Sequence, residues 1–206
     1  MKKQNLLIAG SLIASMSGTA DAAWKGEAEL GINSSSGNTE ATVVNGRINA
    51  DHEALRWLHN VFAETYYAED QGTQTAERYA VGYRPRYFLT DKDYAFGILR
   101  YDQDQFSAID SRFSEVVGYG RRLLDTAAHK LEAEIGVGAR QTQYVESPDT
   151  VGLAENEALG FLGGKYEGQL TEHSKLSETL RVEFGEENTF VESVTGLTMV
   201  VIGNLS

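Results

Sequence analysis

The sequence contains no cysteine and only two prolines. Without cysteine there is no disulfide, no thiol nucleophile, and no zinc–thiolate or iron–sulfur site. An exported chain of this composition depends on hydrogen bonding and packing alone. Long apolar runs are also lacking. After the N-terminus no stretch reaches the roughly 18 apolar residues of a transmembrane helix, so a helix bundle in a bilayer is excluded. Positive charge is scarce: 18 Lys+Arg stand against 30 Asp+Glu, for a formal charge of -12 and a pI of about 4.8. Nucleic acid phosphates repel such a chain unless its basic residues form a patch. They are scattered, apart from Arg84/Arg86 and Arg121/Arg122. Nucleic acid is not an expected partner.

What is present begins with an address. Lys2 and Lys3 precede an apolar segment, Leu6 to Met16, that has the length of a signal core and is too short to span a bilayer. Ala20-Asp21-Ala22 puts small residues at the two positions a signal peptidase reads, so cleavage is expected between Ala22 and Ala23. Residues 1–22 are then a signal peptide, and 23–206 the mature domain. The competing reading is a buried N-terminal helix of a cytoplasmic protein. No cysteine follows the site, so no lipid anchor is expected.

In the mature chain the apolar residues recur every second position, the spacing of a strand with two unlike faces. The cleanest run is His129 to Thr142. Leu131, Ala133, Ile135, Val137 and Ala139 share one face, and Lys130, Glu132, Glu134, Gly136, Gly138, Arg140 and Thr142 the other. A helix would scatter those charges around its circumference. The same alternation runs through Trp24–Asn33, Thr42–Asp51, Ala158–Leu170 and Lys175–Phe184, where Glu178 interrupts the apolar face and suggests a bulge or a position outside hydrocarbon. Arg56–Ala68, Thr75–Tyr87 and Tyr94–Asp104 follow it less regularly. Arg112–Leu123 and Phe190–Val201 have strand composition without a secure choice of faces.

About ten strands result, joined by two kinds of connector. Tight ones centre on Glu53-Ala54, Asp91-Lys92, Asp125-Thr126 and Glu172-His173. Longer ones are expected at Ser34–Thr39, Glu69–Gln74, Gln105–Ser111, Tyr144–Glu155 and Gly185–Asn188. Short periplasmic turns alternating with longer outer loops mark an antiparallel up-and-down outer-membrane β-barrel. The aromatics fall into two groups that suit two interfacial belts. Trp24, Trp57, Tyr87, Phe88 and Tyr94 lie at the periplasmic ends; Tyr66, Tyr67, Tyr101, Phe106, Tyr144 and Phe190 lie at the outer ends. A soluble secreted barrel or sandwich would share the alternation but not the belts.

Several segments resemble a known bacterial family. Trp24-Lys25-Gly26-Glu27-Ala28-Glu29-Leu30-Gly31, followed by Ser36-Gly37-Asn38-Thr39, looks like the opening hairpin of a family of unknown function whose members are described as salt-induced outer-membrane proteins. Thr75-Ala76-Glu77-Arg78-Tyr79 and Tyr94-Ala95-Phe96-Gly97-Ile98-Leu99-Arg100-Tyr101 are similar to later segments of that family. The resemblance spans essentially the whole mature chain. It implies an outer-membrane barrel, and neither an activity nor site residues. Family members continue through two more strands and finish on an aromatic residue, whereas this chain stops at Ser206 within a connector. The expectation is a barrel lacking the last two of twelve strands, with closure in doubt.

Chemistry-bearing groups are sparse. His52, His59, His129 and His173 look isolated, with no partner at metal-ligand spacing. No serine motif offers a nucleophile with base and acid, so no catalytic, cofactor or metal residues are expected. Gly118-Tyr119-Gly120 and Gly160 to Gly164 open no helix and suit strands better than phosphate loops. The candidate site is the set of charges on the polar face: Glu64, Arg78, Arg84, Arg86, Arg100, Asp102, Glu132, Glu134, Arg140, Lys165, Glu167, Arg181 and Glu183. Such charges either interlock as ion pairs or line a narrow hydrated lumen. The outer loops contribute Glu69, Asp70, Asp110, Glu146, Asp149, Glu155, Glu186 and Glu187. Their carboxylates form a solvated acidic rim, or hold divalent cations shared with lipopolysaccharide. The leading expectation is a non-enzymatic barrel in the outer membrane with a structural or salt-stress role, its partners outer-membrane lipid and lipopolysaccharide. A narrow channel for ions or small solutes comes second, and an outer-membrane enzyme third.

Overall fold

The period-two alternation becomes an all-antiparallel sheet. The computed structural model describes residues 7–17, 24–35, 40–145, 153–186 and 188–199, the first of these segments by its backbone alone. The strands are β1 Leu7–Ser17, β2 Trp24–Ser35, β3 Ala41–Ala54, β4 Trp57–Asp70, β5 Thr73–Phe88 and β6 Asp93–Asp104. They continue as β7 Ile109–Asp125, β8 His129–Tyr144, β9 Ala154–Thr171, β10 Ser174–Phe184 and β11 Thr189–Met199. Each strand hydrogen-bonds to its neighbours in sequence, giving the order β1 to β11 without a crossover. All ten strands expected in the mature region are present as β2 to β11.

β1 is the unexpected element. It falls on the apolar core expected of an export signal, and in the full chain it pairs along β2 from Leu7↔Ser35 to Ser17↔Lys25. Without it, that edge of β2 would leave backbone donors and acceptors unpaired, and a β-capable apolar segment nearby satisfies them. The expected cleavage residues Ala20, Ala22 and Ala23 lie outside the described residues.

Two connectors differ from expectation. Between β4 and β5, Glu69–Gln74 is not a long loop. Both strands run on until only Gln71 and Gly72 remain, with φ of 51° and 75°. Two successive positive φ values suit the twist of a tight hairpin, and glycine adopts one of them without a Cβ clash. Near Glu53-Ala54 the turn slides two residues on, to Leu55 with φ 52° and Arg56. The register shift in β10 lies between Ser174 and Lys175 rather than at Glu178, which stays in register opposite Tyr166 and Thr195.

The described residues group into two compact units, within 1–86, 97–115 and 140–156 for the first, and 87–96, 116–139 and 157–206 for the second. In the first unit β2, β3 and β4 pair without irregularity, from Trp24↔His52 and Ala54↔Trp57 to Ala41↔Asp70. Its buried side chains are few: Ala80, Ile98, Ser114, Arg140 and Thr142. The second unit has an apolar core of Tyr94, Phe96, Val116, Leu159 and Phe161. The apolar face of β8 is instead exposed, with Ile135 and Val137 60% and 67% accessible. This inverts the pattern of a water-soluble sheet, in which the apolar face is the covered one.

Candidate functional site

Alternation puts the charges of each strand on one face, and cross-strand neighbours decide which of them meet. In the first unit Arg47 on β3 and Glu64 on β4 are direct partners, joined at 3.0 Å. Arg100 on β6 approaches Glu64 at 4.0 Å and grips Asp102 through Nε and Nη2 at 2.7 to 2.9 Å. Its guanidinium also lies 5.2 Å from the centre of the Phe62 ring. Arg78 meets Asp104 at 3.1 Å and overlies Tyr66. Asn60 donates to Asn49 and Asp51 on the neighbouring strand. Thus Glu64, Arg100 and Asp102 come together, extended by Arg47. Arg84 and Arg86 are half-buried on the same alternation, and Arg140 is buried.

The second unit holds a different arrangement. Tyr94, on the same alternation of β6 as Arg100, is completely buried. Its hydroxyl donates toward Glu134 Oε1 at 2.9 Å and lies 3.2 Å from Glu132 Oε2. Arg122 on β7 donates to Glu132 at 3.3 Å and overlies the Phe88 ring at 4.7 Å. Phe88, Tyr94, Phe96 and Phe161 follow one another at centroid distances of 5.6 to 6.5 Å. The expected belt positions of Tyr94 and Phe88 are therefore wrong. Both turn onto the charged face, where Arg122 and the two glutamates receive them. Phe190 also leaves the expected belt: it pairs opposite Glu183, and Arg181 covers its ring at 4.6 Å.

Further along this unit Arg181 bridges Glu183 at 3.0 Å and Glu192 at 3.1 Å, and Lys165 meets Glu167 at 2.7 Å. Lys165 and Glu167 both remain about half exposed, so this pair contributes little to stability. Glu178 interrupts the apolar face without a bulge because Ser193 donates to it at 2.6 Å and Thr195 donates to its second oxygen.

Three of the four histidines, His52, His59 and His129, are not isolated. His52 and His59 sit opposite each other because they are equally far from the hairpin turn, with ring centroids 6.0 Å apart. Trp24 flanks His52 at 5.0 Å, Trp57 stacks on His59 at 5.5 Å, and His59 Nδ1 lies 2.7 Å from the Tyr83 hydroxyl. The second unit repeats the motif: His129 stacks on Tyr166, its Nδ1 3.0 Å from the hydroxyl. Residue spacing alone hides the pairs His52–His59, Trp24–His52, His59–Tyr83 and His129–Tyr166, since their partners lie on different strands. Among the described residues no group of three or more His, Asp or Glu is disposed to hold a metal ion. Of the acidic rim, Glu155 accepts from Tyr144 at 2.8 Å and Glu69 from Tyr67 at 2.7 Å, while Glu146, Asp149 and Glu187 lie outside the described residues.

Comparison with known proteins identifies the kinship. A family model described as a protein of unknown function, DUF481, matches residues 28–206. An uncharacterized protein of Escherichia coli (strain K12), YdiY, is 27% identical over 215 residues, which cover 95% of this chain and 81% of the relative.

Proposed function

Because this chain belongs to the DUF481 family, whose function is unknown, we propose that it is an outer-membrane β-barrel with a structural rather than a catalytic role. In this reading the leader ending at Ala22 is removed, and β2 and β11 close the sheet, directly or through further strands. The exposed apolar face meets lipid and the charged face is enclosed. Closure is required because an open strand edge in hydrocarbon leaves each backbone polar group several kcal/mol out of pocket, with no water to replace its partner. The exposed belt of Trp24 and Trp57 beside His52 and His59 supports an interfacial position, since amphipathic rings favour the headgroup zone.

The observation that carries the structural reading is the filling of the charged face by aromatic rings. Tyr94 is fully buried, and Phe96 and Phe161 are 5% and 3% accessible. A conducting lumen of a small barrel needs hydrated walls, whereas interdigitated rings exclude water. The test is single-channel recording in planar bilayers. The native protein should give no resolved conductance, and a double truncation, Tyr94→Ala with Phe161→Ala, should create one. Conductance of the native protein would favour the narrow channel, which the half-exposed ladder of Arg47 and Glu64 supports.

A further inference from the structure

The Trp–His group of the first unit contains two imidazoles that stand opposite each other. His52 on β3 and His59 on β4 are direct cross-strand partners, with ring centres 6.0 Å apart and planes inclined at 40°. Both are half-buried, so solvent reaches them. Tyr83 on β5 engages Nδ1 of His59 at 2.7 Å, and their rings are parallel to within 4°. β3 and β5 flank β4 on opposite sides. An imidazole with Nδ1 turned toward β5 therefore carries Nε2 on its far edge, on the side of His52. Among the described residues no hydrogen bond engages that Nε2 or either ring nitrogen of His52.

Neutral imidazole is the commonest side-chain metal ligand. A ligating ring has its other nitrogen held by a hydrogen bond, which fixes its orientation, and Tyr83 holds His59 in this way. With metal–nitrogen bonds of about 2.0–2.1 Å, two imidazoles on one ion have ring centres roughly 5 to 6.5 Å apart. His52 and His59 already fall in that range. We propose that they form a two-imidazole binding site for a divalent transition metal ion of the copper(II) class, with water in the remaining positions. Copper(II) has the highest affinity for nitrogen sites among the first-row divalent ions and accepts a tetragonal arrangement. Calcium and magnesium take oxygen ligands and do not suit this pair. The formal charge of -12 draws cations toward the chain. The site needs only the β3–β4 hairpin and β5, so it stands whether or not the sheet closes in a membrane.

Both tryptophans of the chain flank the pair, Trp24 at 5.0 Å from His52 and Trp57 at 5.5 Å from His59. Copper(II) quenches indole fluorescence at such short range, so the site reports its own occupancy. The full chain, without an affinity tag, is refolded in detergent micelles and titrated with copper(II) chloride, and separately with magnesium chloride at the same ionic strength. The expected result is saturable quenching at one copper ion per chain and no change with magnesium. Electron paramagnetic resonance of the copper-loaded native protein should show two coordinated imidazole nitrogens, a readout that requires no variant to fold. His52→Asn and His59→Asn should each weaken copper binding by more than the roughly tenfold that loss of an orienting partner costs, and each should reduce the spectrum to one nitrogen. His129→Asn, at the His–Tyr pair of the second unit, should leave affinity and spectrum unchanged. Absence of saturable quenching, a native spectrum with fewer than two imidazole nitrogens, native affinity in His52→Asn or His59→Asn, or an equal loss in His129→Asn would each overturn the proposal.

Discussion

The ring of Tyr94 on β6 lies directly against Gly120 on β7, in the space where any larger residue would carry its Cβ. Gly118 accommodates Phe96 in the same way. These glycines are not general softeners of the strand; they are the sockets for two buried rings.

Gly120→Ala should therefore destabilise the fold by about 1–3 kcal/mol, the usual cost of overpacking a filled interior. Urea unfolding in detergent micelles would measure it. The double variant Gly120→Ala with Tyr94→Leu should recover part of the loss, because the added methyl then has room. Equal stability of Gly120→Ala and the native protein would show that the ring does not need the socket.

Tyr94→Phe keeps the ring and removes the hydroxyl that serves Glu134. A hydrogen bond to a charged group contributes about 1.5–3 kcal/mol, and Glu134 is 7% accessible, so water does not readily replace the donor. The expected outcome is a loss in that range in the same unfolding measurement. Glu134→Gln, which still accepts from the hydroxyl, should lose less than Glu134→Ala.

Charge placement separates the two faces. Val137→Lys puts an ammonium on the exposed apolar face, where lysine near a bilayer midplane costs about 2–4 kcal/mol. Ser177→Lys lies on the charged alternation of β10, opposite Glu167. Folding yield into lipid vesicles should fall sharply for the first and change little for the second. Equal yields would contradict a lipid-facing β8.

Trp24 and Trp57 should report a shallow position. Their fluorescence in vesicles is expected to be quenched most by lipids brominated near the headgroup and least by lipids brominated near the chain terminus. The opposite order would remove the Trp–His group from the interface. His52→Ala should leave the depth unchanged, because the indoles and not the imidazole anchor the belt.

The exported protein should begin at Ala23, which mass spectrometry of the outer-membrane fraction would establish. In that form β1 is gone and β2 is released for a different edge partner. A product that retains residues 1–22 would instead make the β1–β2 pairing part of the working protein.

Strand number, strand position and the separation of charge from apolar side chains were legible in the sequence because they are local. Alternation along Leu131–Ala139 needs no knowledge of any other strand, and the ten mature strands follow from it. The roles of Tyr94, Phe88 and Phe190 were not legible. Aromatic residues near strand ends suit an interface equally well, and only their parity relative to Glu132, Glu134 and Arg181 on other strands turns them onto the charged face. The pairing of His52 with His59, and of Arg47 with Glu64, required register. Register is set by turn length and by cross-strand packing, as the two-residue turn at Gln71-Gly72 illustrates. The sequence by itself determined which residues share a face along each strand, since successive Cβ atoms must alternate across a pleated chain. Only the tertiary structure decided which of those residues meet across strands, because a shift of one residue between neighbours exchanges every contact while leaving each strand's own pattern unaltered.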